Sequence, residues 1–233
     1  MLEIAAESGT TDIVATPHAN LEYDFDPAIV AEKLEELRTA NPTSVKIHQG
    51  CDFHLDYDLI QDAVANPTKY TINGHSYLLI ELADIFPTNT IPPILDVLIR
   101  AGMTPILTHP ERYFGLRGKE GEIKEWVTRG CLVQVTGQSL LGVFGSKARK
   151  MSERLLDDQM IHFIASDAHR SEGRTPRLSD AREAVTSRAG EKTAELLFEV
   201  NPKAVLTGEA LQKSERPQGR RKSKSWLSSI LGS

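Results

Sequence analysis

Two hundred and thirty-three residues, 40% hydrophobic and 25% charged, make an ordinary globular composition, which excludes a mostly disordered, collagen-like or coiled-coil chain. No apolar run approaches the ~18 residues of a membrane span, and the opening MLEIAAESGTTD lacks the basic-then-apolar order of a signal peptide. The net charge of −5 is uneven: from Lys213 onward six basic side chains accompany one acidic, leaving −10 on the first 212 residues, which argues against nucleic-acid binding by phosphate neutralisation.

Short β-rich runs alternate with helical runs along the chain. Met1–Gly9 reads as the end of a helix with Gly9 as its C-cap. Asp12–Thr16 reads as a buried strand. A helix is expected over Pro27–Arg38, with Asp26 as N-cap and Pro27 at its first position. Strands follow at Val45–Phe53 and Tyr77–Leu82, the second apolar enough to be covered on both faces. Then come a helix over Thr90–Ala101, a strand over Thr104–Thr108, a helix over Glu120–Arg129 and a strand over Cys131–Val135. The last elements are a helix over Lys147–Gln159, a strand over Ile161–Ala165, helices over Pro176–Ala189 and Glu191–Val200, and a short one from Asn201. Repeated βα units imply an α/β fold with a parallel sheet, open or closed into a barrel. Residues 1–212 carry no composition break and are expected to form one domain. Cys51 and Cys131 are too few for a disulfide framework and are expected as small core residues in a reducing cytoplasm.

Strand after strand ends in a side chain able to ligate a metal. These are His18, Asp52, Glu81, His109 and the pair Asp167 and His169. In a βα barrel the C-terminal strand ends converge on one mouth, where active sites sit. Any one of these residues alone reads as a turn former or a hydrogen-bonded loop residue; their recurrence at five strand ends is what points to a site. Imidazole and carboxylate together suit Zn, Mn or Fe, and carboxylates such as Asp52, Glu81 and Asp167 can bridge two metals about 3.5–4 Å apart. His48 and His162 lie inside strands and read as structural; His54 and His75 read as hydrogen-bonded loop residues. Arg112 follows His109 closely, and Arg174 lies on the loop after His169. Each presents a fork that matches phosphate oxygens, so a phosphoester is the natural substrate class.

The segments Thr16-Pro-His18, Gly50-Cys-Asp52, Leu79-Ile-Glu81-Leu82, Thr108-His-Pro-Glu-Arg-Tyr113 and Ala165-Ser-Asp-Ala-His169 resemble the PHP (polymerase and histidinol phosphatase) superfamily. They are most similar to the bacterial CpsB/CapC-type tyrosine-protein phosphatases of capsule and exopolysaccharide operons, over about Met1 to Leu206. The resemblance implies a distorted TIM-like seven-stranded βα barrel with two to three divalent metal ions, manganese first and iron or zinc as alternatives. It implies dephosphorylation of phosphotyrosine on a bacterial tyrosine kinase that controls polysaccharide synthesis and export. By position, His18, Asp52, Glu81, His109, Asp167 and His169 correspond to metal ligands, and Arg112 and Arg174 to phosphate-binding arginines. Asp52 stands where family members commonly carry glutamate. The family also opens on a strand bearing His-x-His, which this sequence lacks by the comparison. A misassigned start or incomplete gene fragment, loss of catalysis and a strand supplied by another chain are the three explanations. Besides a phosphotyrosine phosphatase, a PHP phosphoesterase acting on a small phosphomonoester and an inactive docking protein stay open.

Residues 213–233 read as a basic, disordered tail in which Trp226, Leu227, Ile230 and Leu231 fall at helical spacing. Such a tail suits peripheral contact with anionic lipid at the inner membrane face.

Overall fold

The computed structural model describes residues 1–83 and 86–212. The expected basic tail, and the membrane contact assigned to it, lie outside the described residues. None of the described helices is long and apolar enough to cross a membrane.

A short helix α1 (Leu2–Glu7) leads into strands β1 (Asp12–Ala15) and β2 (His18–Ala19), and Gly9 takes the positive φ of +83° expected of it. Helix α2 (Pro27–Thr39) starts where the sequence indicates: the Asp26 carboxylate accepts from the amides of Ala28 and Ile29 at 2.8 and 3.4 Å. Strands β3 (Lys46–Gln49) and β4 (Asp52–His54) come next, and then a helix α3 (Tyr57–Ala65) that the sequence reading left out. Its N-cap, Asp56, accepts from Asp58 N at 3.0 Å. The rest is β5 (Tyr77–Glu81), α4 (Ile91–Arg100), β6 (Thr104–Thr108), α5 (Glu120–Thr128), β7 (Leu132–Thr136), α6 (Gly137–Leu140), α7 (Gly145–Asp157) and β8 (Phe163–Ala165). Helices α8 (Ser179–Ala189), α9 (Glu191–Glu195) and α10 (Asn201–Thr207) close the fold, with a π turn at Leu196–Val200 before α10.

Every strand pair is parallel. The expected Val45–Phe53 strand is two pieces, and Pro17 is the reason. It has no amide to donate, so the β1/β2 ribbon breaks there and its neighbour breaks beside it. Gly50 N to Ala15 O (2.9 Å) and Asp52 N to Pro17 O (3.0 Å) carry the ladder across the break. Gly50 is required at that step, because a Cβ there would lie 2.5 Å from Val14 Cγ1. The sheet therefore has six columns in chain order: β1/β2, β3/β4, β5, β6, β7 and β8. Among the described residues β1/β2 and β8 are its edges, each with one neighbouring strand.

The two faces are filled differently. Phe53, Leu78, Ile80, Leu107, Val133, Val135 and Ile164 face a large core shared with Leu95, Ile123, Trp126, Leu155 and Val185 from the surrounding helices. On the other face, Tyr77, Leu79, Ile106 and Phe163 meet Val205 of α10, with Val14, Leu132 and Leu206 packed against them. Residues from both edge strands reach this one small cluster, so the sheet curls around α10. Polar groups fix that plug: Asn201 Nδ2 donates to His162 O (2.9 Å), Asn73 Nδ2 to Leu206 O (3.0 Å) and Tyr77 OH to Glu209 O (2.6 Å). Cys51 and Cys131 are buried thiols.

His162 shows what a core imidazole does to acid stability. Its Nδ1 accepts from Val133 N at 3.1 Å, and burial pushes its pKa down to about 4. The unfolded chain binds that proton near pH 6.5. Stability is therefore lost as pH falls below ~6.5, by up to about 3 kcal/mol, and the loss is complete near pH 4. His162→Asn keeps an acceptor for Val133 without the titration. Denaturant melts of the two proteins at pH 7 and pH 4.5 should show a smaller acid loss for the variant; equal losses would refute this role.

Candidate functional site

Alternation along the strands builds the site. On the inward face, apolar residues near the N-terminal ends give way two residues later to polar ones. Leu79 is followed by Glu81 and Ile106 by Thr108; register places Glu81 opposite His54 and His18 opposite Asp52. The lower half of this face takes α10, and the upper half is left for chemistry.

Four side chains meet at the ends of β2, β4 and β5. His18 Nδ1 lies 3.4 Å from Asp52 Oδ2, 3.8 Å from Glu81 Oε2 and 3.3 Å from His54 Nε2. His54 Nε2 is 3.2 Å from Glu81 Oε2, and the ligand atoms of all four residues lie within 4.8 Å of one another. His109 Nε2 approaches the other oxygen of Glu81, Oε1, at 3.3 Å. Burial opposes the charge on Glu81, but His109, His54 and the Asp52 carboxyl hydrogen-bond to it and hold it below the usual carboxylate range. Asp52 goes the other way, raised by burial and then by Glu81 beside it. Burial also pushes His18 down, keeping its imidazole in the neutral form that ligates.

This set fits a transition-metal cation. Imidazole nitrogens and carboxylate oxygens are its ordinary donors. Asp52 Oδ1 is buried and accepts no hydrogen bond from the described residues, a deficit of about 1–3 kcal/mol that a bound cation offsets.

A second group stands beside the first. Arg112 Nη1 and Arg174 Nη2 both donate to Asp167 Oδ2, and His169 Nδ1 lies 3.8 Å from Asp167 Oδ1. Asp167, His169 and Arg112 are close enough for their charges to act on His18 or Asp52. Arg112 is held from behind by the ring of Phe144, 4.5 Å from its guanidinium carbon. Arg174 Nε is buried and donates to none of the described residues. His109 and Asp167 take φ values of 34° and 46°. Such φ is rare for residues other than glycine and concentrates where surrounding structure holds a functional group in place.

All six candidate ligands and both arginines thus stand at the C-terminal ends of the strands, in two neighbouring groups. Two further residues belong there. His54 reads from the sequence as a hydrogen-bonded loop residue; strand β4 runs to His54, and the period of two turns it to the same side as Asp52. Glu111 is fully buried, accepting from Thr136 N (3.0 Å) and Ser139 Oγ (2.6 Å). Burial raises its pKa. It ties the His109–Arg112 turn to the start of α6; its one sequence signal is its place inside the Thr108–Tyr113 segment that carries the family resemblance. His48 is structural as expected, with Nε2 2.8 Å from Asp12 Oδ1 across β1 and β3.

Comparison with known proteins bears on the family and the fold. The putative tyrosine-protein phosphatase CapC of Staphylococcus aureus is 34% identical over 237 residues, covering 97% of this chain and 89% of that protein. Tyrosine-protein phosphatase YwqE of Bacillus subtilis (strain 168) is 29% identical over 231 residues, covering 95% and 89%. Among solved structures, one from work on YwqE of Bacillus subtilis and CpsB of Streptococcus pneumoniae, described as unique metal-dependent tyrosine phosphatases, superimposes with a TM-score of 0.81 at 26% identity, covering 91% of this chain and 87% of that one. The model for capsular polysaccharide synthesis proteins CpsB/CapC matches residues 1–207, and the chain belongs to that family.

Proposed function

We propose that this chain is a metal-dependent protein-tyrosine phosphatase whose substrate is phosphotyrosine on a bacterial tyrosine kinase regulating capsular or exopolysaccharide synthesis and export. The observation that carries the reading is the pairing of a histidine–carboxylate cluster with two arginines that share one aspartate. The relatives named as tyrosine-protein phosphatases support it. His18, Asp52, Glu81, His109, Asp167 and His169 are the residues that hold divalent cations, manganese first and iron or zinc as alternatives, two to three in number.

A bound divalent cation supplies charge for the phosphoryl oxygens and acidifies water at the site. Arg112 and Arg174 take up the charge that develops on the phosphoryl group. Asp167 sets the direction of both guanidinium groups, and the Phe144 ring limits where Arg112 can move. At the mouth, exposed Tyr23 faces His18 with ring centroids 6.5 Å apart, an aromatic wall suited to the phenyl ring of the substrate.

The test is phosphate release in Mn2+ from a phosphotyrosyl peptide, its phosphoseryl counterpart and a panel of small phosphomonoesters including histidinol phosphate. The phosphotyrosyl peptide should give the highest kcat/KM, by about tenfold or more. Preference for a small phosphomonoester would replace this reading by that of a small-molecule phosphoesterase. No release from any substrate would leave a docking protein.

A further inference from the structure

We propose that His54 is a direct ligand of a resident divalent cation, completing with His18, Asp52 and Glu81 a four-donor site closed by side chains of three adjacent strands. The inference rests on the metal-dependent reading above and adds a ligand that the sequence pattern does not disclose.

Three of the donor separations are those of a coordination polyhedron, while His18 Nδ1 to Glu81 Oε2, at 3.8 Å, and the outer spacing of up to 4.8 Å would have to close slightly around an ion. Ligand atoms each about 2.1 Å from one ion lie roughly 3.0–3.4 Å apart across adjacent positions. His54 Nε2 is 3.3 Å from His18 Nδ1 and 3.2 Å from Glu81 Oε2, and His18 Nδ1 is 3.4 Å from Asp52 Oδ2. Both imidazoles offer a nitrogen within 4.8 Å of the Asp52 and Glu81 carboxylate oxygens, so all four donors surround one small space. The orphaned Asp52 Oδ1 belongs to the same set.

The position of His54 is also fixed from behind. Phe53, between Asp52 and His54, is fully buried with its ring 5.0 Å from that of Tyr70. That anchor locks the register of β4, so Asp52 and His54 present an i, i+2 pair to the inward face. With two nitrogens among four donors, the site favours Mn, Fe or Zn over Mg or Ca, whose preferred ligands are all oxygen.

A hydrogen-bonding role, in which His54 merely orients Glu81, is the competing account. His54→Gln separates the two, since its amide can still donate to Glu81 but brings no imidazole nitrogen. Mn2+ affinity is measured on wild type, His54→Gln and His54→Ala, with pulsed EPR of the Mn2+-loaded proteins to count coordinated imidazoles. Circular dichroism of the metal-free proteins serves as the folding control. Both variants should bind Mn2+ at least about tenfold more weakly, and the imidazole count should fall by one in whatever variant still loads. Wild-type affinity in His54→Gln, or an unchanged imidazole count, would overturn the proposal. If the variants fail to fold, the wild-type spectrum decides: both His18 and His54 must couple to Mn2+, so a single imidazole overturns the assignment. Failure of the wild type to bind Mn2+ at all would instead bring down the metal-dependent reading itself.

Discussion

Arg112→Ala should lower turnover of a phosphotyrosyl peptide by about 100- to 1,000-fold while leaving the bound metal content unchanged. The guanidinium touches the Phe144 ring and, of the proposed ligands, Asp167. Its hold on Asp167 is shared with Arg174, so the loss of its charge is expected to fall on the phosphoryl group. Arg174 also donates to Asp167 Oδ2, so the carboxylate keeps one cationic partner in the variant. Arg112→Lys should restore only part of the loss, because a single ammonium cannot hold Asp167 and present a planar fork at once. Elemental analysis beside steady-state kinetics checks the separation. Metal lost together with activity would show that Arg112 organises the cluster and has no separate role on substrate.

Glu81→Gln should act in the opposite manner, abolishing metal binding and activity together, each by more than about 100-fold. Glu81 is the hub of the first group: its two oxygens face His18, His54 and His109, and it contacts Asp52. An amide offers one acceptor oxygen where the carboxylate offers two, and it places an NH2 group among nitrogen donors. The change also removes a carboxylate that His109, His54 and the Asp52 carboxyl hold below its usual range, a charge that the folded state stabilises. The metal-free variant should therefore melt lower than metal-free wild type. Thermal melts without metal, combined with Mn2+ titration, measure both halves. A variant that keeps wild-type Mn2+ affinity, or that melts no lower than wild type when metal-free, would contradict this account of Glu81.

How much of this was legible in the sequence depended on whether the signal was local. Asp26–Pro27 announced α2 because capping and a fixed proline φ are properties of two residues. Strand β6 matched its expected span of Thr104–Thr108 because it lies between a glycine and a proline that stop it on both sides. The boundaries that moved did so through tertiary context. Pro176 is buried in a loop, and the helix expected to begin there starts at Ser179. Gln159, expected inside a helix, takes a φ of 56°, and α7 stops at Asp157. At the site, strand-end logic gathered His18, Asp52, Glu81, His109, Asp167 and His169 onto one edge of the sheet. It could not reveal that Asp167 holds two arginines, since that depends on a loop turning back through a residue of positive φ. Nor could it see His54, whose orientation hinged on one more residue of β4.

Crystals grown with millimolar Mn2+ and recorded at the manganese absorption edge test the central claim most directly. An anomalous peak enclosed by His18, Asp52 and Glu81 at ordinary ligand distances is the predicted result. Full-occupancy manganese elsewhere on the chain, with no density among these three side chains, would contradict it.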